Sequence, residues 1–282
     1  MRLKLTLTHK PNQALPINYQ YLIAAWVYRT LGTANSVYAT HLHEQGYDFA
    51  GKTYKLFTYS ALRPRWFDID KRAKAFILAK SPTELTLSFY MDDALQHFVI
   101  GLFKDQQFTL ESGRYFKVAF EVVGIETLST PVFKETMRFR AVTPICLSRN
   151  EEGKAHAQYL SPELPEYGEL LLQNLLRKYL AVKERAVLGK DLLSRKVSGE
   201  NLANPQPPDL LNLQDLVNLN NPNFRLLNTP KSKLLAIKGV KMRGFLFYFE
   251  ITSPVELIRV GYFGGFGVGN SALGMGMVRV LK

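Results

Sequence analysis

An α+β fold of two tandem ferredoxin-like (RRM-like) domains is predicted by three features of this 282-residue sequence. Apolar periodicity gives the order β, α, β, β, α, β over residues 1–130, which is the ferredoxin-like plan. The same order returns over residues 131–282 with different lengths. The chain is 46% hydrophobic, enough to bury a core, so disorder is set aside, and its length suits two domains of ordinary size. The seam between an N-terminal domain (1–130) and a C-terminal domain (131–282) is expected near Ser129–Glu135. The duplication rests on element order and not on any sequence repeat.

Arg2 to His9 alternates Leu3, Leu5 and Leu7 with polar neighbours, the period of a half-buried strand. Asn18–Leu31 places Tyr21, Ala24, Ala25, Tyr28 and Leu31 on one helical stripe between Pro16 and Gly32. Ser36–Gly46 is polar and carries His41 and His43, and Lys55–Ser60 reads as a strand. Lys74–Lys80 and Leu85–Tyr90 are expected to pair across Ser81-Pro82. Asp92 or Asp93 caps a helix through Leu102, and strands follow at Gln107–Leu110 and Lys117–Ile125. In the second half, Met137–Leu147 reads as a strand and Leu164–Val182 as an amphipathic helix. Leu234–Val240 and Phe245–Thr252 are expected to pair across Arg243-Gly244. Pro254 opens a short helix through Leu257 and Val260, and Met275–Leu281 is a closing strand. Lys183–Pro222, rich in Asn, Pro and charge, reads as an insertion without an assigned structure.

Charge narrows the partner. Thirty-six Lys+Arg against 24 Asp+Glu give a net charge of +12, which favours nucleic acid or an anionic membrane. No apolar run reaches the roughly 18 residues of a membrane span, and Met1 leads straight into the first strand with no signal peptide. The single Cys146 rules out a disulfide framework and points to a cytoplasmic protein. From Leu216 to Phe249 there is no acidic residue, while Arg225, Lys231, Lys233, Lys238, Lys241 and Arg243 all lie there. Such a run on a β-ribbon suits phosphate contacts; as a charge run alone it is equally a solvated face.

Seven of the nineteen glycines fall between Gly261 and Gly276, in GYFGGFGVGNSALGMGMVRV. Glycine allows positive φ and close approach of backbone to a ligand, which suits a phosphate cradle built on Gly264, Gly265, Gly267, Gly269 and Asn270. No G-x-G-x-x-G occurs and no Gly-Lys-Ser/Thr closes the run. A nucleotide-cofactor site is therefore excluded on spacing, and a polymeric anion is expected instead.

Three stretches carry a resemblance to a known family: YLIAAWVYRTL (Tyr21–Leu31), HLHEQGYDFAGKTYKLFTYSAL (His41–Leu62) and the C-terminal glycine run (Gly261–Val280). The chain resembles the CRISPR-associated endoribonucleases that cut precursor CRISPR RNA within its repeats, in the superfamily of paired ferredoxin-like domains. The resemblance implies metal-independent cleavage that leaves a 2′,3′-cyclic phosphate and a 5′-hydroxyl. The RNA's own 2′-hydroxyl attacks phosphorus, so one proton must leave it, another must reach the 5′-oxygen, and a cation must meet the phosphorane charge.

Matched motif by motif, the family's Tyr, His and Lys fall on Tyr28, His43 and Lys55. His43 is then the general acid, Tyr28 orients or deprotonates the 2′-hydroxyl, and Lys55 stabilises the phosphorane. Each position has a plainer reading: Tyr28 as a core tyrosine, Lys55 as an exposed strand lysine, His43 as a surface histidine. Each also has a neighbour of the same type, Tyr38, His41 and Lys52, and the choice between His41 and His43 stays open. His41-x-His43 lacks the further ligands a metal site needs, so no metal and no cofactor are expected.

The resemblance implies CRISPR repeat RNA as partner and a CRISPR effector complex as a further one; no membrane partner is expected, and a homodimer is left open. The alternative function is a non-catalytic crRNA-binding subunit of such a complex. An unrelated nucleic-acid-binding protein of ferredoxin-like type is a third reading.

Overall fold

Leu3, Leu5 and Leu7 of β1 (Arg2–His9) are buried, and the strand they anchor runs through the middle of the first sheet. The computed structural model describes residues 1–79, 82–149, 157–198, 222–237, 239–268 and 271–281, with backbone alone for 185–198. After β1 come β2 (Gln13–Pro16), α1 (Gln20–Ala34), α2 (Ser36–Glu44), β3 (Tyr47–Phe49), β4 (Lys52–Tyr54) and β5 (Phe57–Tyr59). Then follow β6 (Arg63–Pro64), β7 (Phe67–Asp70), β8 (Ala75–Leu78), β9 (Thr83–Phe89), α3 (Asp92–Lys104), β10 (Gln107–Ser112) and β11 (Phe116–Leu128). The main sheet has the order β10-β11-β1-β9-β5, with β6 added to β9 and every pair antiparallel. Counting β1, β5, β9 and β11 as the four strands of the plan, their spatial order is 4-1-3-2, the ferredoxin-like arrangement.

Two local expectations for this half are corrected. The strands at Lys74–Lys80 and Leu85–Tyr90 do not form a hairpin. Both edges of β9 are occupied by β1 and by β5 with β6, because Leu85, Leu87 and Phe89 are all committed to the main core. β8 pairs instead with β2 and β7 in a separate three-stranded sheet. The first helix also runs past Gly32, where a Cβ would make only ordinary contact with Ala39 Cβ at 3.7 Å.

The second half runs β12 (Thr136–Ala141), β13 (Ser148–Arg149), β14 (Gln158–Tyr159), α4 (Tyr167–Ser198), β15 (Asn223–Leu226), β16 (Lys231–Ile237) and β17 (Val240–Leu246). β18 (Tyr248–Thr252), α5 (Val255–Gly264), a 3₁₀ turn at Ser271–Leu273 and β19 (Val278–Val280) complete it. Its sheet, β15-β18-β12-β19, repeats the 4-1-3-2 order read from the other edge. The chain is thus two tandem ferredoxin-like units.

The expected hairpin across Arg243-Gly244 is also corrected. Arg243 and Gly244 stand mid-strand, opposite Leu234 and Lys233 in the β16–β17 ribbon, and Gly239 (φ +83°) lies at its turn. Gly244 is there for packing, since a Cβ would meet Pro144 Cβ at 2.8 Å and the Ile145 carbonyl oxygen at 3.1 Å. β18 belongs to the main sheet, so the ribbon is an excursion between the second and third strands of the plan. α4 continues well beyond Val182, and residues 199–221 of the expected insertion lie outside the described residues.

Each sheet has its own aromatic core, Trp26, Phe57, Phe89 and Phe98 under the first and Phe139, Tyr167, Phe247 and Phe249 under the second. Buried Arg2 joins them. Its guanidinium carbon lies 3.5 Å from the Tyr262 ring centroid, and it donates to the carbonyls of Val278 (2.6 Å) and Tyr262. Ser88 Oγ donates to Phe263 O (2.9 Å) and Thr58 Oγ1 to Met275 O (2.8 Å). Among the described residues no helix is long and apolar enough to cross a membrane.

Candidate functional site

α1 ends where Asn35 turns extended, and the Asn35 Oδ1 accepts from Tyr38 N at 2.9 Å, capping α2. The sequence offered no helix here, because Ser36–Gly46 lacks an apolar stripe. That helix puts only one of the two histidines beside Tyr28. Residues two apart on a helix point roughly 200° apart, so His41 and His43 cannot both face α1. His43 does: its ring stands edge-on to Tyr28, with centroids 4.8 Å apart at 89°. His41 Nδ1 lies 2.8 Å from Gln45 Oε1 on the same helix. Tyr38 is engaged elsewhere, its hydroxyl 3.1 Å from that of Tyr47, and Lys52 is exposed on β4.

Lys55 reaches the same place from the segment before β5. Its Nζ donates to the His43 carbonyl at 2.8 Å, satisfying an acceptor in the last turn of α2. α2 ends on Gly46 (φ +65°), where a Cβ would meet Tyr54 O at 2.7 Å and Lys55 Cδ at 3.0 Å, so the glycine lets the chain close over the lysine stem. Next to Lys55, Leu56 is buried with φ +54°, a conformation costing a non-glycine residue about 1–3 kcal/mol. Leu56 O accepts from Tyr90 N (3.0 Å), and Gly264 of α5 packs on Leu56 Cα. The turn that aims Lys55 is therefore held from both halves of the chain.

Tyr28, His43 and Lys55 thus converge, on a floor made by Phe57, whose ring is 5.5 Å from that of Tyr28. Burial pushes the Tyr28 phenol well above its ordinary range, which favours the neutral form. Burial lowers the Lys55 amine. His43 is exposed.

A second feature lies on the open face of the second sheet. A trough of about 530 Å³ is lined by Arg63, Arg140, Lys231, Lys233 and Arg279, with Tyr248 beside them and no carboxylate in its walls. Arg140 stacks towards Tyr248, 5.4 Å from the ring centroid. Arg138 and Arg225 on the same sheet are neutralised by Glu250, at 2.7 and 2.9 Å. The five trough cations have no such partner among the described residues.

The structure divides the cations read from the ribbon sequence. Strand alternation puts Lys231 and Lys233 on one face and Lys241 and Arg243 on the other, so only the first two reach the trough. Lys238 lies outside the described residues. Arg140 and Arg279 were missed; the signal that could have found them is alternation, since Arg140 is the outward position between buried Phe139 and Ala141 in RFRA and Arg279 the outward position between buried Val278 and half-buried Val280 in VRV.

The glycine run is corrected in its role. Gly264, Gly265 and Gly267 are buried. A Cβ on Gly267 (φ +90°) would meet the Cys146 carbonyl oxygen at 2.3 Å, and one on Gly276 (φ +77°) the Phe266 carbonyl oxygen at 2.0 Å. At Gly267 and Gly276 the missing side chains admit protein backbone; Gly269 and Asn270 lie outside the described residues. Lys178 of α4, buried, donates from Nζ to the carbonyls of Gly265 (2.6 Å) and Gly267 (2.7 Å). Nothing in the sequence marks it, since it falls in an ordinary amphipathic helix.

Two family models match the chain, CRISPR-associated protein Cas6, N-terminal, over residues 14–121 and CRISPR associated protein Cas6, C-terminal, over residues 128–280. The chain belongs to the CRISPR-associated Cas6 family. Its similarity to individual Cas6 proteins runs end to end. It is 24% identical over 287 residues to CRISPR-associated endoribonuclease Cas6 1 of Methanocaldococcus jannaschii, covering 99% of this chain and 92% of that one. It is 24% identical over 267 residues to CRISPR-associated endoribonuclease Cas6 of Pyrococcus furiosus, covering 94% and 83%. The solved structure of a Cas6-related gene product from Pyrococcus furiosus shares the fold, with TM-score 0.70, 22% identity and coverage of 100% and 98%.

Proposed function

We propose that this Cas6-family protein is an endoribonuclease that cuts precursor CRISPR RNA within its repeats, without a metal ion. The observation that carries the reading is the convergence of Tyr28, His43 and Lys55, from two helices and a loop, on one partly open site. A protein that only held RNA would need no such group. The names of the two relatives as CRISPR-associated endoribonucleases support the substrate class.

In this reading the 2′-oxygen attacks the adjacent phosphorus, the P–O5′ bond breaks, and a 2′,3′-cyclic phosphate forms. His43 gives its proton to the departing 5′-oxygen. Tyr28, kept neutral by burial, orients the 2′-hydroxyl by hydrogen bonding, and the proton of that hydroxyl leaves to solvent. The Lys55 ammonium faces the phosphorane in a partly desolvated site, where a charge acts more strongly than in water. The trough, with Arg63, Arg140, Lys231, Lys233 and Arg279, holds the RNA backbone and shares no residue with the catalytic trio. Binding and cleavage are then separable.

The test is cleavage of an end-labelled repeat RNA in excess EDTA, by wild type and His43→Ala, with a second substrate carrying a 2′-deoxy nucleotide at the cut. A single cut ending in a cyclic phosphate, lost in the variant and in the deoxy substrate, is the expected result. Binding without cleavage by the wild type overturns the nuclease reading in favour of a crRNA-holding subunit.

A further inference from the structure

Beside the basic trough lies an apolar pocket of about 290 Å³ that the catalytic trio and the trough do not use. Its walls include Ile17, Tyr19, Phe67, Phe76 and Leu234. Three of these, Ile17, Phe67 and Leu234, are among the most exposed apolar side chains of the protein, at 36%, 45% and 60%. The rings form a connected set: Phe67 meets Phe76 edge-on at 5.3 Å, and Phe76 meets Tyr19 at 6.3 Å. Exposed apolar surface gathered in a concave site is costly in water and marks a place where something binds.

Trough and pocket draw on the same two strands. Arg63 lines the trough and its neighbour Pro64 the pocket; Lys233 lines the trough and its neighbours Leu234 and Leu235 the pocket. The cavity therefore lies one residue along the chain from two of the trough cations. Gln20 contributes a further wall.

We infer that this pocket takes one unstacked nucleobase of the RNA whose phosphates lie in the trough. The inference rests on the RNA-binding reading above. Cations that hold a backbone, and beside them an apolar cavity where Phe67 offers a stacking face, make up the chemistry of single-strand recognition. The cavity is too small for a helix of a partner protein. The pocket thereby gives the protein a preference at one position of the repeat, away from the cut.

The experiment is an abasic scan of the single-stranded repeat RNA against wild type, Phe67→Ala and Phe67→Tyr, reading Kd. Phe67 lies on an exposed strand, so its loss leaves the fold intact. One position is expected at which removing the base weakens wild-type binding about 5- to 150-fold. Phe67→Ala weakens intact RNA similarly and shows no further loss at that position, whereas Phe67→Tyr behaves as wild type. A 2-aminopurine placed there is quenched on wild type and bright on Phe67→Ala. RNA bound and cut with strictly additive losses at every position overturns the pocket and leaves the nuclease standing. Additive losses together with a dimer that Phe67→Ala dissociates assign the pocket to a second copy of the chain and overturn the inference. No RNA binding by the wild type overturns both readings.

Discussion

Arg140 and Arg279 are register partners on adjacent antiparallel strands, two exposed guanidiniums directly opposite one another. Like charges in that position destabilise a sheet, and their placement beside Lys231 and Lys233 is what the proposed RNA-backbone site requires. Arg279→Gln is expected to leave stability unchanged or raise it by about 0.2–1 kcal/mol in urea unfolding. The same change weakens repeat-RNA binding and reduces the slope of log Kd against log salt by about one. Lys241→Ala, on the far face of the ribbon, leaves the slope unaltered. An Arg279→Gln protein with the wild-type salt slope removes the trough from the RNA path.

The proposed catalytic trio is expected to separate from binding. His43→Ala lowers the single-turnover cleavage rate about 10²–10⁴-fold, the range for loss of a general acid. Lys55→Ala lowers it about 10²–10³-fold. Neither alters Kd for uncleavable 2′-deoxy RNA more than a few-fold. Tyr28→Phe reduces the rate without moving the pH at which activity changes, because burial raises the Tyr28 phenol away from the working range. A limb of the pH–rate profile that disappears in Tyr28→Phe assigns the phenolate a role as base.

The strand order of the first half was legible from periodicity where one face is buried, as in Leu3, Leu5 and Leu7, whereas in the second half the sequence reading put Leu234–Val240 where the sheet uses β15. It failed where a strand is buried by the wrong neighbour: nothing local tells β8 to leave β9 for β2 and β7, because competition for a sheet edge is a tertiary matter. His43 was singled out by likeness to a family; that it lies beside Tyr28 comes from the α2 helix, which a polar segment did not announce. The glycine run was read as a ligand loop since sequence shows only that backbone must come close, and here the partner is Cys146 or Phe266 of the same chain. Arg140, Arg279 and Lys178 needed the fold, because their meaning lies in what stands across from them.

Glycine positions in the C-terminal run are expected to differ sharply from glycines at loop tips. Gly267→Ala and Gly276→Ala each combine positive φ with a Cβ inside contact distance of a carbonyl oxygen, so each costs upwards of about 3 kcal/mol in thermal or urea unfolding. Gly113→Ala, with φ +64° and nothing within 4 Å of its Cβ, costs only about 1 kcal/mol. Equal costs at Gly276 and Gly113 show that the run is not held by close packing.

Lys178 makes the joint between α4 and the glycine run sensitive to pH. Burial pushes its amine down to about 7, against an ordinary 10.5 in the unfolded chain. Between those values the unfolded chain binds the extra proton, so stability rises with pH through the window. Below about pH 7 both states are protonated and the cost of burying the charge is fully present. Lys178→Met removes the titration along with the two hydrogen bonds to Gly265 and Gly267. Urea unfolding at pH 7, 8 and 9 is therefore expected to show the wild type gaining on Lys178→Met by roughly 1 kcal/mol per pH unit. A constant difference between the two proteins over that range means that the carbonyls of Gly265 and Gly267 hold the ammonium form throughout.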